Sequence, residues 1–309
     1  MKWKKRGLIF KPDSQHEWVI SHAMLPIADR IGEDLYRIYF SGRDKQNRSH
    51  ISYVDIDINM PNKIIALSKT PALGLGELGC FDDNGVSPTW ILDYEGKKYL
   101  YYMGWNQGFT VRAAEVSGLA ISEDGGETFH RFSRAPILHR TDKEPFSILV
   151  ISCIVIENGK WKMWYDSADK WLSKDLPLYN IKYAESNDGI NWTRQGTVSV
   201  DFQYPNETRI SRACVLPNNN GYEMWYCYAI GSGGYKIGYA ISLNGIDWSR
   251  RDNKVGIDVS DSGWDSEMIC YPHVFDHKGT RYMLYCGNGY GRSGFGYATL
   301  QNTQELGQE

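Results

Sequence analysis

One ten-residue phrase that returns almost unchanged limits what this chain can fold into more than any other feature. YAESNDGINW, ending at Trp192, comes back as YAISLNGIDW, ending at Trp248, and a weaker relative, LAISEDGGETF, ends at Phe129. Reading outward from these stretches reveals a longer unit with a period of about 60 residues. Each copy opens on an apolar strand entry (SHAML, SPTWI, SCIVI, RACVL, YPHVF) and passes a turn such as IENGKW. An aromatic strand follows: YRIYFSG, YLYYMGW, KMWYDSA, EMWYCYA, YMLYCGN. A third strand (HISYVDI, SGLAIS, IKYAES, KIGYAIS, GFGYATL) then runs into the repeated phrase. Its DG or NG pair supplies the positive-φ residues of a tight hairpin. A fourth strand such as APILHR or KVGIDV completes the unit.

Five copies of a four-stranded unit predict an all-β fold, a five-bladed β-propeller that spans residues 1–309 as a single domain. The last copy stops after its third strand, while RGLIFKP (residues 6–12) resembles a fourth strand and precedes the first copy. The N-terminal strand is therefore expected to close the ring, which removes the open sheet edges. Tyr (21), Trp (11) and Gly (31) are abundant, as short aromatic strands joined by tight turns require.

The net charge is −3 and no Lys/Arg run stands out, which argues against nucleic acid or an anionic membrane as partner. No apolar stretch approaches membrane-spanning length, and the basic start MKWKKRGLIFKPD lacks the apolar core of a secretory signal. The six cysteines stand singly, without CxxC or Cys/His metal spacing. Buried, reduced thiols and a cytoplasmic location are expected, with no cofactor implied.

Strand order assigns work to faces. The repeated turns lie on one face, and the crossings between units, with the loops after the second strands, lie on the other. These irregular segments carry the candidate residues, since loops on a rigid scaffold carry function. Carboxylates recur shortly before the first strands: Glu17, Asp82 and Asp83, Glu207, Asp265 and Glu267. Asp83 or Asp82 is the leading acid, with Glu207 or Glu267 as second carboxylate, because glycosidic chemistry needs one group to protonate the leaving oxygen and another to activate water or attack. Arg43, Arg209 and Arg212, His22 and His273 at strand entries, Asp166, Tyr271 and Glu17 and Asp265 complete a substrate-binding set. Trp105 stands among several aromatics (Trp18, Phe81, Trp171, Tyr204, Trp264, Tyr290) able to stack on a sugar face.

SEDGGETF (residues 122–129) fits the Asp-box pattern S-x-D-x-G-x-T-W/F of sialidases and other propellers, a turn motif. Through GWDS and YMLY in the last copy and the YA-x-S-x-DG-x-x-W hairpins, nearly the whole chain resembles the five-bladed propeller superfamily of arabinanases, β-xylosidases, levansucrases, invertases and mannoside phosphorylases. The resemblance implies an intracellular carbohydrate-active enzyme that cleaves or transfers a glycosyl unit at a central cavity. Two other readings stand beside it: a phosphorylase or transferase-like enzyme acting on a phospho- or nucleotide-sugar, and a non-catalytic sugar-binding propeller. In those families essential acids sit at the first strands as Asp-Pro or Glu-Gly-Pro. The matching positions here are Ser21-His22, Ser87-Pro88 and Ile151-Ser152-Cys153. Some relatives hold a cation in the central channel near a histidine, a place that His22 or His273 would take.

Overall fold

Short turns force successive strands to pair antiparallel with their chain neighbours. In the computed structural model, which describes residues 1–301, β1 (Trp3–Phe10) precedes a first set of β2 (Ser21–Arg30), β3 (Leu35–Arg43), β4 (Ser49–Asp57) and β5 (Ile64–Leu67). The second set is β6 (Val86–Tyr94), β7 (Lys97–Gln107), β8 (Ala113–Ser122) and β9 (His130–Arg131). The third is β10 (Ile148–Glu157), β11 (Lys160–Ser173), β12 (Leu176–Ser186) and β13 (Trp192–Val200). The fourth is β14 (Glu207–Asn218), β15 (Gly221–Ile230), β16 (Lys236–Ser242) and β17 (Ser249–Arg250). The last contains β18 (Cys270–His277), β19 (Thr280–Cys286) and β20 (Phe295–Leu300). β1 lies antiparallel to β20, with Trp3 opposite Leu300 and Phe10 opposite Phe295. The first strands touch in a cycle, β2 on β6, β6 on β10, β10 on β14, β14 on β18 and β18 on β2.

Two expected fourth strands fall elsewhere. APILHR and KVGIDV are irregular, and the outer strands of their sets are the two-residue β9 and β17 just upstream. An arginine ends each of these short strands, and its side chain turns inward to a buried acid, so the outer edge is held by an ion pair rather than by a long ladder.

The repeated phrase is a latch between sets. Ser122 donates to Asp124 and accepts from the Gly126 amide, and Ser186 with Asp188 and Gly189 repeats the arrangement. Ser242, Asn244 and Gly245 form a third copy. The glycine carbonyl then accepts a bond from a second-strand aromatic of the preceding set: Tyr39 to Gly126 (2.6 Å), Tyr101 to Gly189 (2.9 Å) and Trp164 to Gly245 (2.9 Å). These glycines have φ of +87°, +72° and +78°, a backbone region that L residues rarely adopt.

A second repeated device fixes the crossings. Tyr102, Tyr165 and Tyr285 occupy matching places on second strands and donate to Asp82 (3.0 Å), Glu144 (2.8 Å) and Asp265 (3.0 Å). Each carboxylate also holds a cation from the outermost strand of its set: Arg131 (2.7 Å), Arg194 (2.6 Å) and Lys5 (2.8 Å). In the fourth set Arg250 holds Glu207 and Asp252, and Tyr226 donates to Asp252. The first set has Phe40 at this position and lacks the anchor. Removing one partner of a buried pair strands the other charge, which costs about 3–5 kcal/mol. Glu144→Gln is therefore expected to lower the free energy of unfolding by that amount in a denaturant titration. A loss no larger than the roughly 0–1 kcal/mol of a surface pair would show that the anchor does not hold the crossing.

Candidate functional site

Every first strand slips register against its second strand near its start. The breaks lie between Ser21 and Met24, Pro88 and Trp90, Ile151 and Cys153, Ser211 and Cys214, and Cys270 and His273. Such bulges re-aim side chains. At three of them a residue other than glycine is left-handed: His22 (φ +61°), Arg212 (+61°) and Tyr271 (+59°). Each such conformation costs on the order of 1–3 kcal/mol, and residues of this kind gather at functional sites. All three side chains line one cavity of about 510 Å³.

Among the described residues, two carboxyl groups face this cavity. Asp166, on β11, accepts from Ser152 Oγ (2.9 Å) and from the backbone amide of Arg212 (3.0 Å), so it braces the bulges of two adjacent sets. Burial pushes its pKa up to about 7, and the charge of Glu115 adds to this, against the two hydrogen bonds and the Arg212 charge. Glu115, at the start of β8, is also raised by burial, while Arg112 (3.9 Å) and Arg43 oppose the shift. His22 is lowered to about 4 by burial, then by Arg43 and Arg292, and is neutral at pH 7. Arg43, Arg112, Lys174, Arg209 and Arg212 make the walls cationic, and Trp105, Tyr179, Tyr235, Tyr271 and Tyr290 make them aromatic. Trp105 is fixed by its Nε1 donating to Ser49 Oγ (2.8 Å), and the Tyr179 and Tyr235 hydroxyls bond to each other. The set combines a carboxyl group that titrates near neutrality, a second carboxyl group, several cations and flat apolar surfaces.

Of the residues nominated by sequence, His22, Arg43, Trp105, Asp166, Arg209, Arg212 and Tyr271 meet in this cavity. The proposed acids do not. Asp82 is 1 % exposed and committed to Arg131 and Tyr102. Asp83 accepts from the Gly79 amide and from Asn106, holding the shape of its own crossing. Glu207 is clamped by both terminal nitrogens of Arg250 and caps the amides of Gln203 and Tyr204. Asp265 is held by Lys5 and Tyr285. Glu267 is exposed on its crossing, and Glu17 lines a smaller pocket beside Trp18 and Asp44. His273 is buried between the rings of Trp90 and Phe275, with its pKa lowered to about 3, chiefly by burial. Among the stacking candidates, Phe81 and Trp264 lie on Tyr102 and Tyr285 and shield those anchors. Among the described residues, no three His, Cys, Asp or Glu side chains gather as a metal ion would need.

Glu115 and Arg112 were hidden in VRAAE, a stretch without strand alternation that reads as loop. A usable signal was present all the same. Ser49, Glu115 and Tyr179 share one repeat position, where a third strand meets the next set: Ser49 beside Gly85, Glu115 beside Ile148, Tyr179 beside Arg209. All three line the cavity.

No protein-family model matches the chain. It is 42 % identical over 304 residues to the uncharacterized protein MT1551 of Mycobacterium tuberculosis (strain CDC 1551 / Oshkosh), covering 98 % of this chain and 100 % of that one. The same figures hold for the uncharacterized protein Rv1502 of strain ATCC 25618 / H37Rv. Among solved structures, BT0996 in its RGII complex superposes with a TM-score of 0.75 at 19 % identity, over 97 % of this chain and 92 % of that one. A thermostable family-43 glycoside hydrolase gives a TM-score of 0.67 at 16 % identity, over 91 % and 88 % of the two chains.

The raised pKa of Asp166 has a stability consequence with a definite sign. An unfolded aspartate titrates near 3.9, so between about pH 4 and 7 the folded chain holds the proton more tightly and folding loses stability as pH rises. The buried, neutral His22 and His273 act in the opposite direction, losing stability as pH falls below about 6.5, but they are unchanged in an Asp166 variant. The melting temperature of Asp166→Asn, relative to that of the unaltered chain, is therefore expected to climb from pH 4 to pH 7 and level off above. A difference that stays flat with pH would contradict the assignment.

Proposed function

The chain belongs to the same family as MT1551 and Rv1502 and has the fold of the propeller glycoside hydrolases, and from that premise we propose that it is a carbohydrate-active enzyme that cleaves or transfers a glycosyl unit in its central cavity. The five antiparallel sets are read as five blades of one domain, with β1 completing the last blade. Six free thiols, five of them buried, support a reducing, cytoplasmic setting.

One observation carries the reading: Asp166 and Glu115 face the same cavity, and both carboxyl pKa values are raised. Glycosidic bonds yield to such a pair, one group giving a proton to the leaving oxygen while the other activates an acceptor or attacks the sugar carbon. Asp166 suits the donor role, since with a pKa of about 7 much of it carries a proton near neutrality. Glu115, beside Arg112, takes the second role. Trp105, Tyr271 and Tyr290 offer faces to the apolar side of a pyranose. The BT0996 structure is a complex with RGII, which supports a carbohydrate as ligand here.

The test is a screen of chromogenic glycosides and oligosaccharides, followed by kinetics of variants on the best substrate. Asp166→Asn and Glu115→Gln are each expected to lower kcat by roughly 100- to 10,000-fold, the usual contribution of a general acid or base. The rate of the unaltered enzyme should fall as pH rises through about 7, as the donor proton is lost. Turnover by Asp166→Asn at the original rate would overturn the assignment.

A further inference from the structure

Elsewhere in this protein, arginines of low exposure answer to carboxylates. Arg37 holds Asp55, Arg194 holds Glu144, Arg250 holds Glu207 and Asp252, and Arg281 holds Asp276 and Glu223. The cavity breaks this pattern. Arg43 donates to the side-chain carbonyl of Asn47 (2.8 Å), Arg209 to the backbone carbonyl of Gly233 (2.7 Å), and Arg212 to that of Thr89 (2.6 Å). Among the described residues none of the three forms an ion pair with a carboxylate. Arg209 and Arg212 are only 6 % and 4 % exposed, and the Nε groups of Arg43 and Arg209 are buried with no hydrogen-bond partner.

Carbonyl oxygens orient a guanidinium without pairing its charge, Asp166 and Glu115 act on Arg212 and Arg43 only through space, and buried charge without a hydrogen-bonded counterion is costly. With Arg112 and Lys174, five cationic side chains line a cavity that, among the described residues, contains two carboxyl groups. Even with both carboxyls ionised, an excess of positive charge remains, and it grows when Asp166 is protonated. A substrate carboxylate would bring one negative charge, whereas a phosphoryl group brings about two and presents oxygens to several guanidinium forks at once.

We propose that Arg43, Arg209 and Arg212 form an oxyanion subsite for a phosphoryl dianion, so that the substrate is a phosphorylated sugar or is accompanied by free phosphate. This rests on the cavity being the substrate site, and it adds the class of substrate. The claim concerns binding alone and is independent of which group moves a proton.

Isothermal titration of the full chain in a chloride buffer of low ionic strength tests it, with inorganic phosphate, glucose 1-phosphate, glucose 6-phosphate, glucuronic acid and glucose as probes. Saturable binding is expected from phosphate or from a sugar phosphate, at least tenfold tighter than glucuronic acid. Binding of phosphate itself would mark a co-substrate, and binding only of sugar phosphates would place the group on the sugar; either supports the subsite. Arg209→Gln and Arg43→Gln should each weaken it by about 10- to 100-fold, the loss of a charge-assisted hydrogen bond. Arg43→Gln is the safer variant for folding, because its side chain is less buried. Asp166→Asn, which removes a negative charge acting on Arg212, should bind the probe at least as tightly as the unaltered chain even where turnover is lost, which separates failure of the subsite from failure of the catalytic assignment. Absence of saturable binding by every phosphate-bearing probe, or glucuronic acid binding as tightly as they do, would overturn the proposal.

Discussion

Each crossing between sets has to leave the outside of one sheet and enter the middle of the molecule at a defined point, and in four of the five sets a buried carboxylate secures it. Asp82, Glu144, Glu207 and Asp265 are tied to Arg131, Arg194, Arg250 and Lys5 on the outermost strands. The ties stabilise only because both charges are satisfied together, and three of the four carboxylates also accept a tyrosine hydroxyl from the second strand. With the crossings held, the first strands begin at fixed positions and their bulges fall at one level. The cavity is a consequence of that alignment.

What the anchors hold in place is under strain and under charge. Left-handed His22, Arg212 and Tyr271 project from bulges that a regular strand would not contain, and Asp166 accepts bonds from two neighbouring bulges. Thiols assist, with Cys227 accepting the Tyr271 amide and Cys214 that of Val274, so backbone groups freed by the irregular strands remain paired. A scaffold that ties Arg37, Arg194, Arg250 and Arg281 to carboxylates, and leaves the buried Arg209 and Arg212 of the cavity on carbonyls, has concentrated unsatisfied chemistry in one place.

The strand succession was legible because its signals are local. The Ser-x-Asp-Gly and Ser-x-Asn-Gly turns, repeated in the second, third and fourth sets, and the aromatic second strands carry their own hydrogen-bonding logic. The same repetition misled the reading of the site. Acids at matching places before the first strands looked like a converging cluster, yet a feature present in set after set, such as Asp82, Glu207 and Asp265, serves what four of the five sets share, which is an anchor. The residues that converge are the ones that differ between sets: Glu115 where others have Ser49 or Tyr179, Asp166 where others have Ser41, Met103, Cys227 or Cys286. His22, Arg209, Arg212 and Tyr271 could be found from sequence because strand entries face the cavity whatever they carry. Glu115 could not be found by composition, since its placement depends on the register with which β8 meets β10. The short β9 and β17 escaped notice because two-residue strands have no periodicity to detect.

The central claim is that the cavity, through Asp166, holds a proton near neutral pH, and an NMR titration of isotope-labelled aspartate carboxyl carbons addresses it most directly, with the Asp166 resonance identified by its absence from the Asp166→Asn spectrum. A midpoint near pH 7 is expected for that carbon. A midpoint near the ordinary aspartate value of about 3.9 would contradict it, since the group would then be ionised throughout the neutral range and have no proton to give.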